Sequence, residues 1–354
     1  MYSSIITKTG SYIPSRKVNN AHFLEHRFYD ANGAPQDKSN VDIIQKLQEI
    51  TCINERRYAD DNLNTSDVAF AAAQKALEDV DIESLDYIIV GHNFGDVRVG
   101  SKNSDLVPSI AARVKHKLGI ENPYTVAFDI PFGCPGWLQG VITGNYFIRS
   151  GDAKKVLVIG AEVLSRVADP HDVDCMIYAD GAGAVLLEAN NDPAVGILSH
   201  VTRSDTHKHA LLLRMGQSYK PDLSGEELFL KMEGHQIYKY AVRTVPQIVK
   251  QSLDKAGVTL VEIKKVFIHQ ANQKMDEAIM RRVFKLCDGG TMSEQLVPMT
   301  ISWLGNSSVA TLPTMYDLVM RGQLKNHRLE SGDNLVFASV GAGMNCNALV
   351  YRVP

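Results

Sequence analysis

Uninterrupted apolar runs recur along this chain at Tyr87-Ile88-Ile89-Val90, Val156-Leu157-Val158-Ile159, Val266-Phe267-Ile268 and Leu335-Val336-Phe337. Runs this short, closed by glycine or polar residues, read as strands buried on both faces. Gly183 to Leu187 and residues 347 to 351 supply neighbouring strands. Helical spacing marks the stretches between them: from a cap at Thr65 or Ser66 through Val68 to Leu77, from 138 to 149, from Tyr240 to Ala256, and from 309 to 321. Ser4 to Lys8 is a further β-like run, followed by a turn at Gly10-Ser11. The polar stretch Asn19 to Asn40 contains Ala31-Asn32-Gly33-Ala34-Pro35, which is turn chemistry, and reads as a surface insertion.

The order of these elements repeats. Helix 138–149, Ser150-Gly151-Asp152 and strand 156–160 correspond to helix 309–321, Ser331-Gly332-Asp333 and strand 335–339. The chain therefore reads as two copies of one α/β unit with central sheets covered on both faces. The halves part at Asn190-Asn191-Asp192-Pro193, giving residues 1–189 and 190–354. Packing them about a pseudo-twofold axis would bring two helix starts, Gly133-Cys134-Pro135-Gly136 and Gly305-Asn306-Ser307-Ser308, to the centre. His269, at the end of a strand in the second copy, would join them.

At 354 residues, 45% apolar and 22% charged, the chain has ample length for a large core. A net charge of −3 gives no global attraction to nucleic acid or anionic membranes, and neither partner is expected. The cysteines, Cys52, Cys134, Cys175, Cys287 and Cys346, show no CxxC pairing, which points to a reducing compartment without disulfides or structural zinc. The opening Met1-Tyr2-Ser3-Ser4-Ile5-Ile6 carries no leader pattern and no apolar run reaches membrane-spanning length, so a cytoplasmic location is expected.

Cys134 is the candidate nucleophile. A thiol in the first turn of a helix faces unpaired N–H groups and the positive end of the dipole, both of which favour the thiolate. The other reading is a small buried hydrophobe. His269 is either a satisfied strand-end group or catalytic, and Asn306 either a helix cap or a hydrogen-bond donor. Asp180-Gly181-Ala182-Gly183-Ala184 lacks the spacing of a dinucleotide loop and reads as close packing. His207 and His209 have no carboxylate or cysteine in pattern and read as a solvated loop.

Gly133-Cys134-Pro135-Gly136, His269-Gln270-Ala271-Asn272, Gly305-Asn306-Ser307-Ser308, Asp180-Gly181-Ala182-Gly183-Ala184 and Gly341-Ala342-Gly343 together resemble the motifs of the β-ketoacyl-acyl carrier protein synthase III branch of the thiolase superfamily. The resemblance runs from about Gly10 to Arg352 with the motifs in order. It implies a duplicated five-layered α-β-α-β-α fold, a homodimer, and a Cys134-His269-Asn306 site for decarboxylative Claisen condensation of an acyl thioester with malonyl-acyl carrier protein. It further implies an oxyanion hole from the Cys134 N–H and one of Gly341 or Ala342, and no metal or redox cofactor. Val107, Phe132 and Gly343 are expected to border substrate, with Val107 reaching the pocket of the partner subunit. Lys274, Arg281 and Arg282 fall where the family docks its acidic carrier, and Lys274 and Arg281 share a helix face with Lys285.

The chain also departs from that pattern. Lys46 and Ile50 stand where the family usually has a tryptophan and an arginine that grip coenzyme A. An acyl donor delivered on a carrier protein is therefore expected, with acyl-coenzyme A the alternative. The competing activities are acyl transfer without decarboxylation and a non-catalytic acyl-binding dimer partner. A degradative thiolase would need a second catalytic cysteine in a Cys-x-Gly turn, and Cys346 is followed by Asn347 and Ala348.

Overall fold

The computed structural model describes residues 2–354 apart from 224, 226, 291 and 294. In chain order the first half forms β1 (Ser3–Tyr12), β2 (Arg16–Asn19), α1 (Asn40–Thr51), β3 (Glu55–Tyr58), α2 (Thr65–Ala76), β4 (Tyr87–Gly91), α3 (Ile110–Leu118), β5 (Val126–Ile130), α4 (Gly136–Ser150), β6 (Lys155–Val163) and β7 (Asp180–Asn190). The second forms β8 (Gly196–Ser204), α5 (Thr206–His209), β9 (Leu213–Gly216), β10 (Phe229–Met232), α6 (Gly234–Ala256), β11 (Ile263–Ile268), α7 (Gln273–Leu286), α8 (Ile301–Leu304), α9 (Thr311–Met320), β12 (Asn334–Gly341) and β13 (Asn345–Arg352).

A five-stranded sheet has the order β1-β7-β6-β4-β5 and a four-stranded sheet the order β11-β12-β13-β8. In the first, β4 runs parallel to β5 and β6, while β7 is antiparallel to β6 and β1. In the second, β11 and β12 are parallel and β13 is antiparallel to β12 and β8. The expected strand neighbours 156–160 with 183–187, and 335–339 with 347–351, pair in this way.

Three apolar layers hold the sheets. Ala-rich α2, with α3, covers the outer face of the first sheet through Val68, Ala72, Ile110 and Val114. Amphipathic α6 and α7 cover the outer face of the second through Ile248, Val249, Ile279 and Val283. Between the sheets lie α4 and α9, where Trp137, Val141 and Leu312 meet Ile89, Phe267 and Phe337. This is the five-layered α-β-α-β-α arrangement, with both central helices starting in the middle of the molecule.

Local departures from the sequence reading have identifiable causes. Gly10 and Ser11 are not a turn but lie within β1, opposite Ala184 and Gly183. Gly10 instead allows close approach of α2, since a Cβ there would meet the Ala72 carbonyl oxygen at 2.5 Å. The cap of α2 is Asn64, in a reciprocal capping box with Asp67, because the Ser66 hydroxyl and N–H are both bound by Asp96, each at 2.7 Å. The stretch 19–40 is less of a surface insertion than its polarity suggests: Phe23 and Phe28 are buried. Arg56, wholly buried, lies over the Phe23 ring and donates to Val18 and Met176 carbonyls and the Asn20 side chain. No helix among the described residues is long and apolar enough to cross a membrane.

Candidate active site

Cys134 sits between β5 and α4. Gly133 has φ of 68°, and a Cβ there would meet the Ala342 nitrogen at 2.5 Å, so the loop is pressed against the segment after β12. Gly341 packs on the Cys134 backbone nitrogen with the same intolerance of a side chain. The candidate oxyanion-hole groups, the N–H groups of Cys134 and of Gly341 or Ala342, therefore belong to two backbones in direct contact.

His269 follows β11, its N–H donating to the Ala338 carbonyl at 2.9 Å. The next residue explains the local sequence. Gln270 is fully buried, donates to the Pro298 carbonyl at 2.7 Å and accepts from the N–H groups of Thr300 at 2.9 Å and Ile301 at 3.0 Å. It thereby ties the His269 strand to the segment that runs through α8 to Asn306. Asn272 caps α7, its side chain accepting from Met275 N–H at 3.1 Å. Gly305, at φ 71°, turns the chain where a Cβ would meet that of Arg56 at 2.7 Å. Asn306 is then held through its backbone, N–H to Ile177 carbonyl at 3.0 Å and carbonyl to Ala179 N–H at 2.8 Å. Its side-chain oxygen accepts from Ser308 N–H at 2.8 Å, which reserves the amide N–H groups for other acceptors.

Cys134, His269 and Asn306 line one cavity of about 280 Å³, together with Asn93, Ser308 and Ala342. The rest of its wall is mostly apolar, with Phe94, Leu164, Tyr178, Met215, Leu230 and Met232 contributing, and Arg214 is the one charged side chain in the lining among the described residues. Burial is the dominant electrostatic influence. It pushes the Cys134 thiol up to about 11, against the lowering effect of a hydrogen bond from Ser308 and assisted by the charge of Glu162. The helix start that favours a thiolate in the sequence reading is thus outweighed by desolvation. Burial alone takes His269 down to about 4, so the imidazole is neutral at physiological pH. Its Nδ1 has no hydrogen-bond partner among the described residues.

The remaining expected positions lie elsewhere. Within a single chain Val107, Phe132 and Gly343 do not line the cavity; Val107 is 86% exposed. Lys274, Arg281 and Arg282 are exposed on α7, with Arg281 3.7 Å from Glu277. Asp180 accepts from Ser165 and Ala59, and a Cβ on Gly183 would meet Thr314 nitrogen at 2.6 Å, so that glycine-rich strand serves close packing. Cys346 is buried against the Tyr240 hydroxyl and pushed up to about 12.

Sequence reasoning assigned no role to Asn93, Glu162 or Ser308. The Asn93 side chain accepts from Gly133 N–H at 2.9 Å and donates to Glu162 at 2.6 Å. Glu162 is fully buried and pushed up to about 7, mainly by desolvation. Ser308 stands two residues after Asn306 in Gly305-Asn306-Ser307-Ser308, and Asn93 lies just past the end of the apolar run 87–90; those positions were the available signal.

Comparison with known proteins agrees with this architecture. The family model described as 3-oxoacyl-[acyl-carrier-protein (ACP)] synthase III matches residues 128–206, and its C-terminal counterpart matches 253–353. The chain is 27% identical to the 3-oxoacyl-[acyl-carrier-protein] synthase III of Aquifex aeolicus VF5, covering 99% of each chain with a TM-score of 0.79. It is also 27% identical to the β-ketoacyl-[acyl carrier protein] synthase III of Thermus thermophilus, with 99% of each chain covered and a TM-score of 0.81. The priming β-ketosynthase of the R1128 polyketide pathway, 24% identical over 99% of this chain and 96% of that one, shares the fold at a TM-score of 0.81. Fold and comparisons together define a condensing enzyme of the thiolase superfamily. Within it, the chain belongs to the 3-oxoacyl-[acyl-carrier-protein] synthase III family.

Proposed function

We propose that the protein condenses an acyl thioester with malonyl-acyl carrier protein by decarboxylative Claisen chemistry, giving a 3-oxoacyl thioester for fatty acid or related lipid or polyketide synthesis. The observation that carries this reading is the convergence of Cys134, His269 and Asn306 on one largely apolar cavity. Cys134 sulfur attacks the acyl carbonyl, the donor thiol departs with the proton, and the oxyanion is met by the N–H groups of Cys134 and of Gly341 or Ala342. The neutral His269 and the Asn306 amide then donate to the malonyl thioester carbonyl. Carbon dioxide leaves, the electron pair remains as an enolate, and its carbon attacks the acyl group on Cys134 and frees the thiolate. The two thioesters are the only co-reactants this sequence needs.

The acyl donor is proposed to arrive on carrier protein, docked on the exposed Lys274, Arg281 and Arg282 of α7. Buried Arg56 is engaged in holding the chain around Phe23 and is not available to a nucleotide. A homodimer would carry the exposed Val107 into the partner's pocket. Intact-protein mass spectrometry with a panel of acyl-coenzyme A and acyl-carrier donors tests the reading. A Cys134-dependent adduct that malonyl-carrier converts to a 3-oxoacyl product is expected. An adduct transferred without carbon dioxide release would establish the simpler acyltransferase, and no adduct from any donor a non-catalytic partner.

A further inference from the structure

We propose that the Ser308 hydroxyl is a further catalytic group, donating a hydrogen bond to the Cys134 sulfur, and that Asn93 is the positioning residue that aims it. The proposal rests on Cys134 being the nucleophile and adds a second residue in contact with the reacting atom.

The geometry carries it. Ser308 Oγ lies 3.3 Å from Cys134 Sγ, across 174 residues of sequence, at the meeting of the two central helix starts. Ser308 is held at φ 52°, in the left-handed region that a residue bearing a Cβ enters only at a cost, and the Asn306 side chain fixes it there by accepting its N–H. On its other side the Asn93 amide nitrogen lies 3.5 Å from Ser308 Oγ. An amide N–H can only donate, so the serine oxygen accepts from Asn93 and its own proton is left for the sulfur.

Asn93 is itself fixed through its side-chain oxygen, its amide nitrogen and its backbone N–H. Its side-chain oxygen takes Gly133 N–H at 2.9 Å, the residue next to the nucleophile, and its backbone and amide N–H groups both go to Glu162, at 3.3 and 2.6 Å. The loop bearing Asn93 is anchored by His92. Gly95 N–H donates to His92 Nδ1 at 3.1 Å, so Nε2 carries the proton shared with Asp129 at 2.8 Å. A buried thiol faces a large desolvation cost on becoming a thiolate, and a hydrogen bond to a charged sulfur is the compensation that grows as the charge forms. The same bond would stabilise Cys134 as the leaving group when the product departs.

The test is the pH profile of Cys134 alkylation by iodoacetamide, with mass spectrometry assigning the site, in wild type, Ser308→Ala, Ser308→Gly and Asn93→Ala. Glycine removes the hydroxyl while relieving the left-handed backbone, so it reports on the bond without the strain that a Cβ keeps in the turn. Both Ser308 variants are expected to move the alkylation midpoint to higher pH, lowering the rate on its rising limb by about ten- to a hundredfold. Asn93→Ala should move it the same way by a smaller amount. Unmoved midpoints in folded Ser308→Ala and Ser308→Gly would overturn the proposal. Alkylation needs no acyl donor, so that result is separate from failure of the condensing reading, which is decided by acyl transfer.

Discussion

Residues 133–136 and 305–308 occupy matching places in the two halves, each opening a helical segment of the central layer. Each begins with a glycine in the left-handed region, and each glycine is forced by backbone or Cβ atoms arriving from elsewhere, Ala342 against Gly133 and Arg56 against Gly305. Beyond the glycine the two differ. The first presents a thiol whose burial holds it protonated, and the second an amide whose oxygen is already used by Ser308 N–H. The duplicated scaffold thus supplies two equivalent helix starts facing one cavity, and under the proposed function residue type would divide the work between nucleophile and donor. Ser308 then reaches back from the second start to the first.

This division can be broken from either side. The largest effect is expected for Cys134→Ala, which should abolish acyl-enzyme formation, a loss of more than about a thousandfold, measured by intact mass. Replacing either glycine by alanine should cost about 2–4 kcal/mol in denaturant unfolding, with Gly133→Ala also displacing the nucleophile and Gly305→Ala the donor.

Electrostatics sharpens the comparison. Glu162, beside the first start, is raised from 4.5 to about 7, so the folded state holds its proton across that window and stability falls as pH rises through it. His269, beside the second, is lowered from 6.5 to about 4, so the unfolded state takes up the extra proton and stability falls as pH drops through that window. Glu162→Gln should flatten the decline on the neutral side, by an amount on the order of 3 kcal/mol, in thermal melts between about pH 5 and 8. The same substitution removes the charge that helps keep Cys134 protonated and should shift its alkylation midpoint slightly to lower pH. The smallest effect is expected at the surface. Reversing Lys274 and Arg281 to Glu should raise KM for carrier-bound malonate by about three- to tenfold and leave a small malonyl thioester unaffected, in steady-state kinetics with both substrates.

The sequence made the strands legible because a buried strand must be apolar along its length, as Val156 to Ile159 and Leu335 to Phe337 are. It made the duplication legible because glycines and helix starts recur in order. Gly10 was misleading: its freedom serves contact with α2 rather than a turn. The helix cap is Asn64 rather than Thr65 or Ser66, and Ser66 is occupied by Asp96, distant in sequence. The state of Cys134 was opaque for a related reason. A helix start is local and readable, whereas the burial that opposes it is assembled from both halves. Asn93, Glu162 and Ser308 gain their meaning only from contacts that span the chain.

The division of labour is tested most directly by running the two half-reactions separately in Asn306→Ala, with acyl-Cys134 read by intact mass and carbon dioxide release from malonyl-carrier followed in parallel. The account predicts acyl-enzyme formation within a few-fold of wild type and decarboxylation reduced by about a hundredfold or more. Equal loss of both half-reactions in a folded variant would contradict it, because the two helix starts would then act as one unit.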